Sequence, residues 1–146
     1  IVCSLVGSEM CIRDRKGGAL KKIMKPIKLG VGSPLGTGQQ YLPWIHIKDL
    51  CRMFIHCIEH KKEGTFNAAN GYISNEEFMR TISKKMKKPF FFPSIPKPIL
   101  SFFLGEMSTM LTESLKVSNQ KIKQNGFEFL FPDFDSAMTH IAKNED

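Results

Sequence analysis

Between Lys48 and His60 the apolar residues Leu50, Met53, Phe54, Cys57 and Ile58 recur three and four apart, the spacing of one buried helical face. On either side the pattern changes. Tyr41-Leu42-Pro43-Trp44-Ile45-His46-Ile47 is aromatic and β-branched, as in a strand, and Pro43 keeps it from a central position because it has no N–H to donate. After the helix, Lys61-Lys62-Glu63-Gly64 offers cations to the carbonyl end and a glycine stop, and Thr65-Phe66-Asn67-Ala68 reads as a second short strand. Strand, helix and strand in such quick succession predict an α/β chain.

The remaining segments extend that order. Gly17 to Gly38, dense in glycine and proline, reads as a loop-rich connector after a helical turn at Ala19 to Met24. Ser74 and Glu77 form a capping box, with Ile73 and Phe78 as its staple, so a helix is predicted from Asn75 to about Lys87, where Pro89 stops it. Phe90-Phe91-Phe92 is a candidate strand. Pro98 sits where the first position of a helix tolerates it, opening a helix from Ile99 to about Leu111. Ser118 to Asn125 makes a further helix ended by Gly126; Phe127, Phe129 and Phe131 then alternate as core and sheet-packing residues, and Asp133 opens a last helix to about Lys143.

Composition excludes several functions. The 21 Lys+Arg against 14 Asp+Glu give a net charge of +7, but the lysines are scattered in pairs with no interleaved aromatic pattern or zinc-finger spacing. They read as a solvated basic surface; a basic nucleic-acid-binding module is the third and weakest functional option. Cys3, Cys11, Cys51 and Cys57 include no Cys-x-x-Cys pair, so neither a metal site nor a disulfide framework is expected, and a reducing cytoplasm is the default. The most apolar stretch, Ile99 to Leu104, is far short of the roughly 20 residues that cross a bilayer. Val2 to Arg15 shows neither strand alternation nor a capped helical stripe, and resembles the translation of an adaptor that recurs at the ends of chains called from environmental DNA. Residues 1–15 are therefore expected to be non-native, with whatever preceded Lys16 cut away.

Three sets of residues together resemble the NAD(P)-dependent epimerase/dehydratase group of extended short-chain dehydrogenases. Pro43-Trp44-Ile45-His46-Ile47-Lys48-Asp49-Leu50 is similar to that group's aromatic-x-His-x-Asp-Asp signature, with Lys48 where an Asp is usual. Gly64-Thr65-Phe66-Asn67-Ala68-Ala69, leading on to Ser74-Asn75-Glu76-Glu77-Phe78, is similar to the strand and helix that follow it. Gly17-Gly18-Ala19-Leu20, Gly30-x-Gly32-x-Pro34-Leu35-Gly36-x-Gly38, Leu104-Gly105-Glu106-Met107 and Asn125-Gly126-Phe127-x-Phe129-x-Phe131-Pro132 resemble one branch, the "epimerase family proteins", some of which carry a cell-division-inhibitor label. The resemblance implies the C-terminal portion of a Rossmann-like NAD(P)-binding fold over residues 16–95, a small, mostly helical C-terminal domain over 96–142, and a tail at 143–146. It further implies an NAD- or NADP-dependent parent acting on a small-molecule substrate, nucleotide-linked or not, with no nucleic acid or membrane partner. A noncatalytic binding or regulatory protein on the same fold is the alternative.

Chemistry on a nicotinamide needs a glycine turn whose N–H groups and helix dipole face the pyrophosphate. It also needs, in this superfamily, a Tyr with a Lys four residues on as acid–base pair. Gly30-x-Gly32-x-x-x-Gly36 has the wrong spacing, and Tyr41 and Tyr72 are followed four residues on by Ile45 and Glu76. No cofactor-binding or catalytic residue is therefore assigned, and tight dinucleotide binding is not expected. Trp44 and His46, two apart in an extended segment, point to one side and offer a stacking surface and a hydrogen-bonding group to a substrate; the other reading makes them a core tryptophan and a satisfied structural histidine. Glu106 and Met107 either face the substrate cleft or finish their helix. Asn67 reads as a backbone partner, and His56 and His60, spaced like a metal pair, as helix-surface residues.

Overall fold

The computed structural model describes residues 2–4, 19–30, 32–91, 93–96, 98 and 114–143. Among these residues, four short strands and five helices follow in the order β1 (Val2–Ser4), α1 (Ala19–Lys28), β2 (Tyr41–Trp44), α2 (Ile47–Glu59), β3 (Thr65–Asn67), β4 (Gly71–Ser74), α3 (Asn75–Lys85), α4 (Gln120–Gln124) and α5 (Phe134–Lys143). β2 and β4 pair antiparallel with Leu42 opposite Ile73, and β1 pairs parallel with β3.

Two apolar cores organise the described residues. Leu42 and Trp44, on one face of β2, join Ile73, α1 (Ile23, Ile27), α3 (Phe78, Ile82) and α5 (Phe134, Met138) in the first. The second lies under α2, where Leu50, Met53 and Cys57 meet Phe66, Ile122 and Phe127. Burying a side chain such as Met53 or Phe66, each 2% exposed or less, favours the fold by roughly 1.5 to 3 kcal/mol. Two segments supply both cores: Trp44 faces the first and Ile45 the second, while Phe131 faces the first and Phe127 the second.

The local chemistry explains the helix ends. Ser74 Oγ accepts the Glu77 N–H at 3.3 Å, the expected cap of α3, with Ile73 and Phe78 packed in one core. α4 stops at Gly126, whose φ of +86° is the left-handed conformation glycine adopts without penalty. Asp133 Oδ1 accepts the Ser136 N–H at 2.7 Å at the start of α5.

Several expectations change. α1 runs through Pro26 to Lys28 instead of stopping near Met24, because Ile23, Met24 and Ile27 are buried, and that burial outweighs the hydrogen bond the proline removes. β4 was not foreseen: four residues ending in a capping serine carry too little alternation to read as a strand. The phenylalanines at 127, 129 and 131 fall in no helix or strand and form no ladder among the described residues. Phe90 makes a single bridge to Gly32, Phe91 is 86% exposed, and Phe92 lies outside the described residues. So does the helix expected from Ile99 to Leu111. Val2–Ser4, where no element was expected, forms β1. Among the described residues no helix is long and apolar enough to cross a membrane.

Candidate functional site

The signature segment sits where β2 hands over to α2. Trp44, 5% exposed, meets Phe134 of α5 edge-on, with ring centres 5.5 Å apart. His46 stays extended (φ −79°, ψ 141°) and caps α2: its Nδ1 accepts the Lys48 N–H at 3.1 Å. Nδ1 being an acceptor, the neutral ring carries its proton on Nε2. Histidine is an unusual cap, and this one is 2% exposed. Its ring lies 4.0 Å from that of Phe131 and meets His140 edge-on at 5.1 Å. Burial, then the neighbouring His140, lower the His46 pKa to about 4, with Lys48 adding to the effect and Asp49 opposing it.

Asp49 is fully buried and reaches across the chain. Its Oδ1 accepts the Leu130 N–H at 2.7 Å and its Oδ2 the Phe131 N–H at 3.1 Å, while Arg52 Nη1 lies 3.1 Å from Oδ1. A buried carboxylate is tolerable only with such partners, and hydrogen bonds to an ionised acceptor are each worth about 1.5 to 3 kcal/mol. Asn70 completes the arrangement, donating from Nδ2 to Phe131 O while its own N–H meets Trp44 O at 2.8 Å. Lys48, the departure from the resembled signature, places Nζ 3.0 Å from His140 Nε2.

The contacts described for Trp44 and His46 are those of a core tryptophan and a capping histidine; contact with a substrate lies beyond them. The two do share one side, since both press on residues 131–140. Glu106 and Met107 lie outside the described residues. Asn67 Nδ2 donates to Ser118 O at 3.0 Å, a backbone partner. His56 Nε2 lies 3.1 Å from Asn125 O and His60 Nδ1 2.9 Å from His56 O, so the pair's nitrogens face carbonyls. A surface hollow of about 350 Å³ opens beside α2 between Arg52, His56, Glu59 and Glu128. Leu130, Phe131 and His140 were missed by sequence reasoning, and no local spacing connects them with residues some eighty or ninety positions earlier.

Comparison with known proteins agrees with this architecture. Residues 95–141 match a domain of unknown function (DUF1731). The mouse epimerase family protein SDR39U1 is 32% identical over 134 residues, covering 90% of this chain and 45% of that protein. The Staphylococcus epidermidis epimerase family protein SERP0438 is 37% identical over 141 residues, covering 95% and 47%. Among solved structures, human SDR39U1 with NADPH superposes with a TM-score of 0.82 at 31% identity, over 92% of this chain and 46% of that one. A Thermus thermophilus UDP-glucose 4-epimerase with NAD superposes with a TM-score of 0.64 at 13% identity, a likeness of fold alone. The class is thus an α/β chain matching the C-terminal half of a Rossmann-containing epimerase fold. Within it, the chain is similar to the SDR39U1-like epimerase family proteins, with a DUF1731 match over residues 95–141. It spans about half the length of the curated relatives it matches.

Proposed function

We propose that the chain is the substrate-side portion of an NAD(P)-dependent epimerase or oxidoreductase, and that alone it neither holds the dinucleotide tightly nor turns it over. The observation that carries the reading is its likeness, over 92% of its length, to a relative whose structure contains NADPH. The residues present do not fit the cofactor. The glycine-rich segment has already spent amides a pyrophosphate would need: the Gly36 N–H donates to Ile95 O at 3.0 Å and the Gly38 N–H to Leu35 O at 3.2 Å. Neither tyrosine has a lysine four residues on.

On this proposal, Trp44, His46, Glu106 and Met107 belong to the substrate side, and the substrate is a small molecule, nucleotide-linked or not. Titration calorimetry with NADH and NADPH tests it, first on the 146-residue chain and then on a protein rebuilt with the N-terminal portion of a relative such as the S. epidermidis protein. The chain alone is expected to show no micromolar binding and the rebuilt protein to bind. Micromolar binding by the chain alone, or none by a folded rebuilt protein, overturns the reading.

A further inference from the structure

Among the described residues, the matched domain of unknown function meets the signature segment through contacts that gather around His46. Trp44 packs on Phe134, His46 on Phe131, Lys48 reaches His140, and Asp49 grips the Leu130 and Phe131 amides. Asp49 fixes where Phe131 lies, and Phe131 in turn closes one face of the imidazole. The Lys48 amide fixes which nitrogen carries the proton, and His140 closes the ring edge-on. The remaining polar atom, the Nε2–H donor, has no hydrogen-bond partner among the described residues. A buried imidazole held this tightly, with one donor left over, is more order than a helix cap requires, since Ser, Thr, Asn or Asp would cap α2 equally well.

We infer that the task of the domain of unknown function is to hold His46 in a single orientation and a single neutral tautomer, presenting Nε2–H as an uncharged donor to a carbonyl or hydroxyl oxygen. Asp49, Phe131 and His140 are the positioning residues. The purpose of the donor rests on the substrate-side reading above; its positioning does not. The charged and titratable groups around the ring are Lys48 and Asp49 from α2, Arg52 through Asp49, and His140 from α5. Burial first, then His140 and Lys48, outweigh the opposing pull of Asp49 and disfavour a further proton on His46, which keeps it a donor instead of an acid.

Imidazole-nitrogen NMR on the 146-residue chain tests the inference without any substrate. In the parent chain the His46 ring is expected to show only the Nε2–H pattern and to remain neutral to about pH 5, well below the ordinary value of about 6.5. In Phe131→Ala and in His140→Ala, the ring is expected to exchange between tautomers and to take up a proton at least tenfold more readily. Phe131→Tyr, which keeps an aromatic face, restores the parent pattern. Phe131→Leu replaces Phe131→Ala if the latter loses its dispersed amide spectrum. A tautomer mixture in the parent chain, or variants that keep its pattern and its pH behaviour, overturns the inference. A single tautomer together with a rebuilt protein that binds no dinucleotide would instead remove only the substrate-side reading.

Discussion

Lys48 Nζ lies 3.0 Å from His140 Nε2. An ammonium can only donate, so this nitrogen accepts in the contact, and a protonated His140, the form that repels a proton on His46, has to give the contact up. In Lys48→Asp, which restores the residue usual in the resembled signature, a carboxylate would instead favour the charged ring. His140 is expected to titrate at a higher pH in Lys48→Asp than in the parent chain, as followed by ring-proton NMR. An unchanged or lower midpoint would show that the two side chains do not interact in solution.

Asp49→Ala leaves the Leu130 and Phe131 amides without their acceptor. Urea unfolding is expected to show a loss of about 2 to 4 kcal/mol, the scale for two amides that lose a charged acceptor. Asp49→Asn, which keeps one acceptor oxygen, should lose less. If Asp49→Ala loses under about 1 kcal/mol, the clamp is not what joins the two parts of the chain.

His46 also sets a pH dependence. Its folded pKa, about 4, lies below its ordinary 6.5, so between these values the unfolded chain binds more protons and stability falls with falling pH. The contribution is fully present above about pH 6.5 and has been lost by about pH 4, a span on the order of 3 kcal/mol. His46→Asn keeps a cap acceptor and removes the titration. It should flatten this part of the stability profile; equal slopes in the two proteins would mean that His46 is not the group responsible.

Deleting residues 1–15 removes the Val2–Ser4 ladder from β3. β3 keeps Phe66 in the core, Asn67 on Ser118 and the Lys121 Nζ contact with Thr65 O at 2.8 Å. The expected loss is within about 1 kcal/mol, the scale of an ordinary point mutation. A larger loss, read from thermal or urea unfolding, would make the segment part of the folded domain.

Elements governed by local chemistry were legible in the sequence. The α2 stripe, the Ser74 cap and the Gly126 stop depend on neighbours within a few positions, and each appears where that chemistry places it, except that Ile58, counted in the stripe, is 64% exposed and Phe54 only partly buried. α1 was cut short because Pro26 is a local signal against a helix, whereas the burial of Ile27 depends on α3 and α5. The candidate site was half legible. Trp44, His46 and Asp49 stood out through a resemblance, but their partners lie far along the chain, and a residue such as His140 looks no different from any other histidine on a terminal helix. That Asp49 serves as a clamp also stayed hidden, because the groups it binds are backbone amides, which leave no mark in a sequence.

The sharing of both cores by residues 44–45 and 127–131 bears on how the chain folds as it is made. Neither core is complete until residues 122–138 have been made, so Trp44, Ile45 and the inner face of α2 lack part of their covering until then. Contacts this distant pay their loop-closure entropy before they gain anything, which predicts slow folding and a late commitment step. A ribosome that stalls before Phe127 would release a chain with both cores incomplete, so the solubility of the nascent chain depends on residues 127–138 being made.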